Sequence, residues 1–252
     1  MRRETQNVLL VLLGGALLKI SLNGSYTRYV KPELLPWLVG AGSVMVLLAA
    51  VAIGRDLVVA HRVRAVARVG GGAPADPAGS CDHPHREPYS PWLLLLVVLA
   101  ILLVQPPALG ADAVNRAAAR NPGEPRAVTA FDELPGGEVI ELPISEVLLR
   151  SVWDDRGTLD GRVLRLTGFV VRAEDGTTYL ARMAIRCCAA DASPVRVRLD
   201  GPTQRIAAFP PDTWLEVTGT VRKGTAGPDN GFVPTFDVTD LRPVPEPATP
   251  YE

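Results

Sequence analysis

Cys187 and Cys188 lie side by side in the stretch Met183-Ala-Ile-Arg-Cys187-Cys188-Ala-Ala-Asp191-Ala-Ser-Pro194, and adjacent thiols limit what that segment can be. On a strand, neighbouring side chains point to opposite faces, so the two cannot both fill one core. At least one must be exposed, carried round a bend, or bonded to something. Two soft thiolates with the hard carboxylate of Asp191 make a start for zinc, but three donors do not close a tetrahedral shell. The C-terminal part of the chain has no histidine to complete it, so a partner, another subunit or water would have to. Other readings of the same residues stay open. Thiols outside the cytoplasm tend to oxidise, which allows a strained vicinal disulfide or a bond to a partner. Alternatively, Cys188 is small apolar filler, Cys187 ends a strand, and Asp191 accepts backbone N–H groups in an Asx turn ahead of Pro194.

A second donor cluster, Cys81-Asp82-His83-Pro84-His85-Arg86-Glu87, holds two of the three histidines. Pro84 excludes a regular helix there. Cys81, His83 and His85 would then form a flexible chelate, weak unless a partner completes its shell; the competing reading is a plain polar loop. Catalysis is harder to support. His61, His83 and His85 all precede the C-terminal part, leaving it no Ser-His or Cys-His dyad. Asp154-Asp155 and Glu174-Asp175 are sequence neighbours, which cap turns more readily than they face one another across a cleft. Gly70-Gly71-Gly72 reads as linker, and no glycine loop of the phosphate-binding kind is present. The expectation is that the protein is not an enzyme.

The elements that must position these groups follow from segregation of the apolar residues, which make up 47% of a chain that is also 21% charged. Val8 to Ile20 is apolar except for Lys19, whose long stem can carry its ammonium to the headgroups. Leu34 to Ile53 and Trp92 to Ala111 contain no charge at all. A bilayer core asks for about 20 apolar residues in a helix, so three spans are expected, over 1–22, 33–54 and 91–111. Met1-Arg2-Arg3 before the first run also resembles a signal peptide, but no small-residue cleavage site follows it. Arg2, Arg3, Arg55, Arg62, Arg64, Arg68 and Arg86 fall on one side of alternating spans, and Arg28, Lys31, Arg116 and Arg120 on the other. The positive-inside rule makes the first, larger set cytoplasmic and the C-terminal domain extracytoplasmic. Residues 55–90 then form a cytoplasmic Gly/Pro-rich loop bearing the Cys/His cluster.

From Asp112 onward there are 16 Lys and Arg against 21 Asp and Glu, a net charge of −5 that opposes attraction to nucleic acid. Arg162, Arg165, Arg182, Arg196 and Arg198 alternate along strands, but few aromatics accompany them for base stacking. Residues 112–130 read as linker, with Asn121-Pro-Gly-Glu-Pro125 at its centre. Glu138 to Leu142 is strand-like, and Ile144 to Trp153 makes a short amphipathic helix. Period-two runs follow at Arg162–Arg172, Thr178–Cys187, Val195–Leu199, Trp214–Val221 and Val233–Leu241, separated by turn-forming residues. Five strands with the echoed pattern Gly161-Arg-Val-Leu-Arg-Leu-Thr-Gly168 and Asp212-Thr-Trp-Leu-Glu-Val-Thr-Gly219 predict a small all-β barrel of the OB type over 131–252, with one short helix; a five-strand sandwich is the alternative. Gly168 and Gly219 would relieve crowding where long strands bend. Phe169, Leu166, Trp214 and Val217 are the candidate core.

These two glycine-bounded segments, the Arg182 to Pro194 stretch with its Cys-Cys-x-x-Asp-Ala-x-Pro motif, and Pro250-Tyr251 together resemble the YcgQ-like permease-subunit family. Leu18-Lys19, the His-bearing loop and Gln105-Pro106-Pro107 also fit. What the resemblance implies is a bacterial membrane protein that is the small accessory subunit of a larger multi-span permease of the YcgR-like type. The loop departs from the family pattern, keeping only His83 and His85 of a longer His-rich run. The reading is therefore a three-span membrane anchor followed by an OB-like domain that binds the partner, a solute or a metal. The competing class is a free-standing metal-binding or thiol-redox module at the cell surface.

Overall fold

The computed structural model of the protein describes residues 3–69, 96, 99, 107–118, 131–201 and 203–252. They divide into two compact units, one comprising 1–25 and 33–106, the other 26–32 and 107–252.

The first unit is a pair of helices, α1 (Arg3–Leu22) and α2 (Leu35–Val69). They meet where both backbones are bare. A Cβ on Gly14 would sit 2.9 Å from the carbonyl oxygen of Gly42, and one on Gly42 would sit 3.0 Å from Cγ of Leu18. Small residues at a crossing let two apolar helices approach closely, the packing mode favoured where no hydrophobic force drives association. The outward residues are apolar too: Trp37, Leu47, Leu48 and Val51 are all exposed.

The expectation of three membrane helices is corrected here. Among the described residues one helical stretch, Pro32–Arg62, is long and apolar enough to cross a membrane, and 11% of its most apolar window is buried. The apolar part of α1, Gln6–Leu22, falls short of that length. Most of the third run, with Leu96 and Leu99 excepted, lies outside the described residues. Its end is not helical: Pro107 to Gly110 is irregular, and Ala111 opens a separate helix.

In the second unit the elements are α3 (Ala111–Ala118), β1 (Val139–Glu141), α4 (Ile144–Trp153), β2 (Val163–Arg172), β3 (Thr178–Ala184), β4 (Ser193–Asp200), α5 (Thr203–Ala207), β5 (Trp214–Val221) and β6 (Thr235–Pro243). The strands form one mixed sheet in the order β1-β2-β3-β4-β6-β5, and β2 also pairs with β5, so that five strands close on themselves while β1 adds to the outside of β2. This corrects the all-β expectation. β1 runs parallel to β2 and β4 parallel to β6, and among the described residues three helices rather than one accompany the sheet. Period-two patterning fixes which face a residue takes but carries nothing about the direction of the partner strand. α3 occupies the start of the segment read as linker.

Closure depends on two glycines. A Cβ at Gly168 would stand 2.7 Å from the Ala181 carbonyl oxygen and 3.0 Å from Ile144 Cδ1. At Gly219, beside the register shift between Thr218 and Gly219, a Cβ would overlap the carbonyl of Asp237. The interior is filled by Leu164, Leu166, Val170, Leu180, Val197, Leu215, Val217 and Phe236, and α4 adds Ile144 and Val147. A second cluster lies on the outer face, where Ala111 and Val114 of α3 cover Phe169, Val171, Ala181 and Met183. That cover explains why alternation in β2 breaks down and Phe169, Val170 and Val171 are buried in succession. Leu166 and Val217 therefore point inward, whereas Phe169 and Trp214 pack on the outer face in a T-shaped pair with centroids 5.4 Å apart.

Candidate metal centre

β3 ends at Ala184, which pairs with Ser193 of β4, and the intervening residues leave the sheet as a hairpin loop with one 3-10 turn over Ala189–Asp191. The cysteines are in this loop, not in the strand. The alternation that would have put their side chains on opposite faces is relaxed, and both thiols lie on one side of the bend, with Cys187 exposed and Cys188 half-buried. The sulfurs are 3.6 Å apart, two free thiols rather than a disulfide.

Asp191 organises the loop. Its Oδ1 accepts the backbone N–H of Arg186 at 2.8 Å, and its Oδ2 accepts the N–H of Cys187 at 2.9 Å and the Cys187 thiol at 3.0 Å. These bonds hold its carboxyl down to about 2, the thiol contact contributing most. In turn the carboxylate, with a smaller push from Cys188, raises the Cys187 thiol to about 11. At neutral pH the pair is a protonated thiol donating to an ionised carboxylate. Asp191 thus does the backbone work of an Asx turn and still presents an oxygen to both thiols.

One ligand atom from each of Cys187, Cys188 and Asp191 falls within 4.8 Å of the others. Two thiolates on a tetrahedral zinc, each about 2.3 Å from the ion, are about 3.8 Å apart. The observed 3.6 Å is close to that grip without any movement of the chain. The Cys187 sulfur and the Asp191 oxygen, drawn together by a shared proton, must open by roughly half an ångström to bind an ion, which departure of that proton allows. Three donors on an exposed loop leave the fourth position open. Cys81, His83 and His85 lie outside the described residues.

The back of the loop is held by residues the sequence reading passed over. Val30 forms an isolated antiparallel bridge with Cys188. The Lys31 N–H donates to the Cys187 carbonyl at 3.2 Å, and the Ala189 N–H donates to the Tyr29 carbonyl at 2.7 Å. On the other flank Ile185 N–H donates to the Glu252 carbonyl and Glu252 N–H to the Met183 carbonyl. The Glu252 carboxylate caps α4, accepting from Ile144 at 3.0 Å and Ser145 at 2.8 Å. Tyr26 to Val30 is rich in aromatic and β-branched residues, which is the one signal that could have marked it as strand-like. A single bridge has no period to detect.

Several other residues singled out from sequence have local partners. Asp154 accepts from Thr158 and Arg156, and Asp175 from the N–H of Thr177, as turn caps do. Arg182 is buried, donating to the carbonyls of Thr249 and Tyr251 with its guanidinium over the Trp214 ring. Arg196 stacks on Tyr179, and Arg165 pairs with Glu216.

No curated protein matches the chain. Among solved structures it is similar to a "putative aspartyl-tRNA synthetase" from Leishmania major Friedlin, at 13% identity and a TM-score of 0.28, covering 50% of this chain. The chain spans 24% of that protein's length. The part that carries the vicinal cysteines has a family assignment of its own: residues 147–252 match the DUF1980 C-terminal domain, which marks an uncharacterised family.

Proposed function

We propose that the chain is a membrane-tethered accessory subunit of a permease complex, and that its C-terminal domain binds a soft divalent metal, zinc by its donor set, at Cys187, Cys188 and Asp191. The observation that carries the metal reading is the convergence of three ligand atoms within 4.8 Å on an exposed loop. Such a site, open at one position, suits a metal that is taken up and passed on better than one that is locked into the fold. The competing reading is a thiol-redox module; the raised Cys187 thiol bears on both alike, since zinc ligation and disulfide exchange each require a thiolate.

The membrane reading rests on the length and apolar surface of α2 and on the charge distribution around the apolar runs. The resemblance to the YcgQ-like family supplies the partner, a larger multi-span permease.

Affinity purification of the tagged chain from detergent tests the subunit reading: co-purification of a larger multi-span membrane protein is expected, and recovery of a lone chain contradicts it. Equilibrium dialysis against zinc should give one bound ion per chain, lost in Cys188→Ser because a hydroxyl is a poor ligand.

A further inference from the structure

The geometry points to the Tyr29–Lys31 segment as a structural part of the Cys187–Cys188–Asp191 site, so that capture of a metal there is coupled to the connection between α1 and α2. This rests on the metal reading proposed above and adds its regulation. The segment is not merely near the loop. Its backbone is paired with the very residues that carry the donors: Val30 bridges Cys188, Lys31 donates to the carbonyl of Cys187, and Tyr29 accepts from Ala189, which begins the turn leading to Asp191. A second tie, from the Thr27 hydroxyl to the Ala248 carbonyl at 2.8 Å, anchors its start.

An ion drawn between both sulfurs and Oδ2 fixes the backbone at positions 187, 188 and 191 together. Fixing those positions also fixes the Cys187 carbonyl and the Ala189 N–H, the acceptor and donor that the segment uses. Docking of the segment conversely orders the loop before the ion arrives. The two effects are one coupling free energy and must be equal in size, since linkage is reciprocal. Few residues separate the segment from helices at both ends: α1 stops at Leu22 and α2 starts at Leu35. The segment is thus continuous in the chain with both helices, and the second of them contains the described stretch that is long and apolar enough to cross a membrane.

Ala189→Pro separates the coupling from the ligands. Cys188 is extended, with φ −152° and ψ 167°, which is compatible with a following proline, and Ala189 is the first residue of its turn, where proline is well tolerated. The substitution removes the N–H given to Tyr29 and leaves both thiols and Asp191 in place. The test uses the full chain in detergent, with zinc as the probe and a chelator-treated sample as reference. Bound zinc and hydrogen exchange in peptides spanning 26–32 and 185–192 are measured on the same preparations. One zinc per chain with exchange slowed about tenfold in both peptides is expected, together with a zinc affinity about tenfold weaker in Ala189→Pro. Zinc bound at full stoichiometry with exchange over 26–32 unchanged overturns the coupling and spares the metal reading. No bound zinc overturns both.

Discussion

Asp191→Asn should make Cys187 more reactive, although it removes a neighbouring group without touching the sulfur. In the native loop the ionised carboxylate accepts the thiol proton at 3.0 Å and lifts Cys187 from an ordinary value of 9.0 to about 11. Losing that charge returns the thiol part of the way toward 9.0, the smaller share from Cys188 and burial remaining, which raises the thiolate fraction at pH 7 by up to about 100-fold. A less basic thiolate is also a poorer nucleophile, and a Brønsted coefficient of about 0.4–0.5 gives back up to about tenfold over two pH units. The net expectation is an exchange faster by up to roughly tenfold with an aromatic disulfide reagent at pH 7. The assay is reaction of the metal-free chain in the presence of chelator, with Cys187 resolved from Cys81 by peptide mass and from Cys188 by fragmentation of the peptide between the two residues. Its pH profile should keep rising above pH 9 in the native protein and level off nearer 9 in the variant. An equal or slower rate in Asp191→Asn, with the loop otherwise intact, would refute the assignment of Asp191 as acceptor of the Cys187 proton.

Gly219→Ala should destabilise the domain by about 1–3 kcal/mol or prevent folding, because its Cβ would overlap the Asp237 carbonyl across β5 and β6; Gly227→Ala, where a Cβ meets nothing within 4 Å, should be near neutral, and urea unfolding distinguishes them. Removing the carboxylate that caps α4 with Glu252→Ala should cost about 0.5–2 kcal/mol in the same assay, and an unchanged midpoint would mean that Ile144 and Ser145 find another acceptor. Burial works against ionisation of Asp154, but hydrogen bonds from Thr158 and Arg156 outweigh it and hold the carboxyl below its usual 3.8. Its folded value lies below the unfolded one, so its contribution is present above about pH 4 and is lost as pH falls through the folded value. Asp154→Asn should thus be less stable than the native protein at pH 7, with the difference shrinking in acid; a constant difference from pH 7 to pH 2 would contradict this.

The parts of the fold that were legible in the sequence are those with a local period. Ile144 to Trp153 is a helix because its apolar residues recur at helical spacing, and five strands appear where apolar and polar residues alternate. Gly168 and Gly219 were identifiable as points of close approach. What had no period was missed. α3 follows Pro107 and Gly110 directly and carries small residues that read as the tail of an apolar run or as linker; its N-terminus is capped from a distance, by Oδ1 of Asp212 at 2.6 Å from the Ala111 N–H. The parallel pairing of β1 with β2 and of β4 with β6 is set by the crossovers, not by the strands themselves. At the site, Cys187, Cys188 and Asp191 were recognisable by type and spacing. Their common direction was not, because it depends on the strand ending at Ala184. Tyr29, Val30, Lys31 and Glu252 act through backbone groups or a single carboxylate, and beyond the aromatic and β-branched character of Tyr26 to Val30 nothing in their order along the chain marks them.

The proposed zinc site uses Cys187, Cys188 and Asp191 together as ligands. X-ray absorption at the zinc edge on the zinc-loaded full chain tests it most directly. Two sulfur neighbours at about 2.3 Å with the remaining shell of oxygen or nitrogen at about 2.0–2.2 Å are expected, falling to one sulfur or to no bound zinc in Cys188→Ser. A shell of oxygen and nitrogen alone, or a spectrum unchanged in Cys188→Ser, would contradict it.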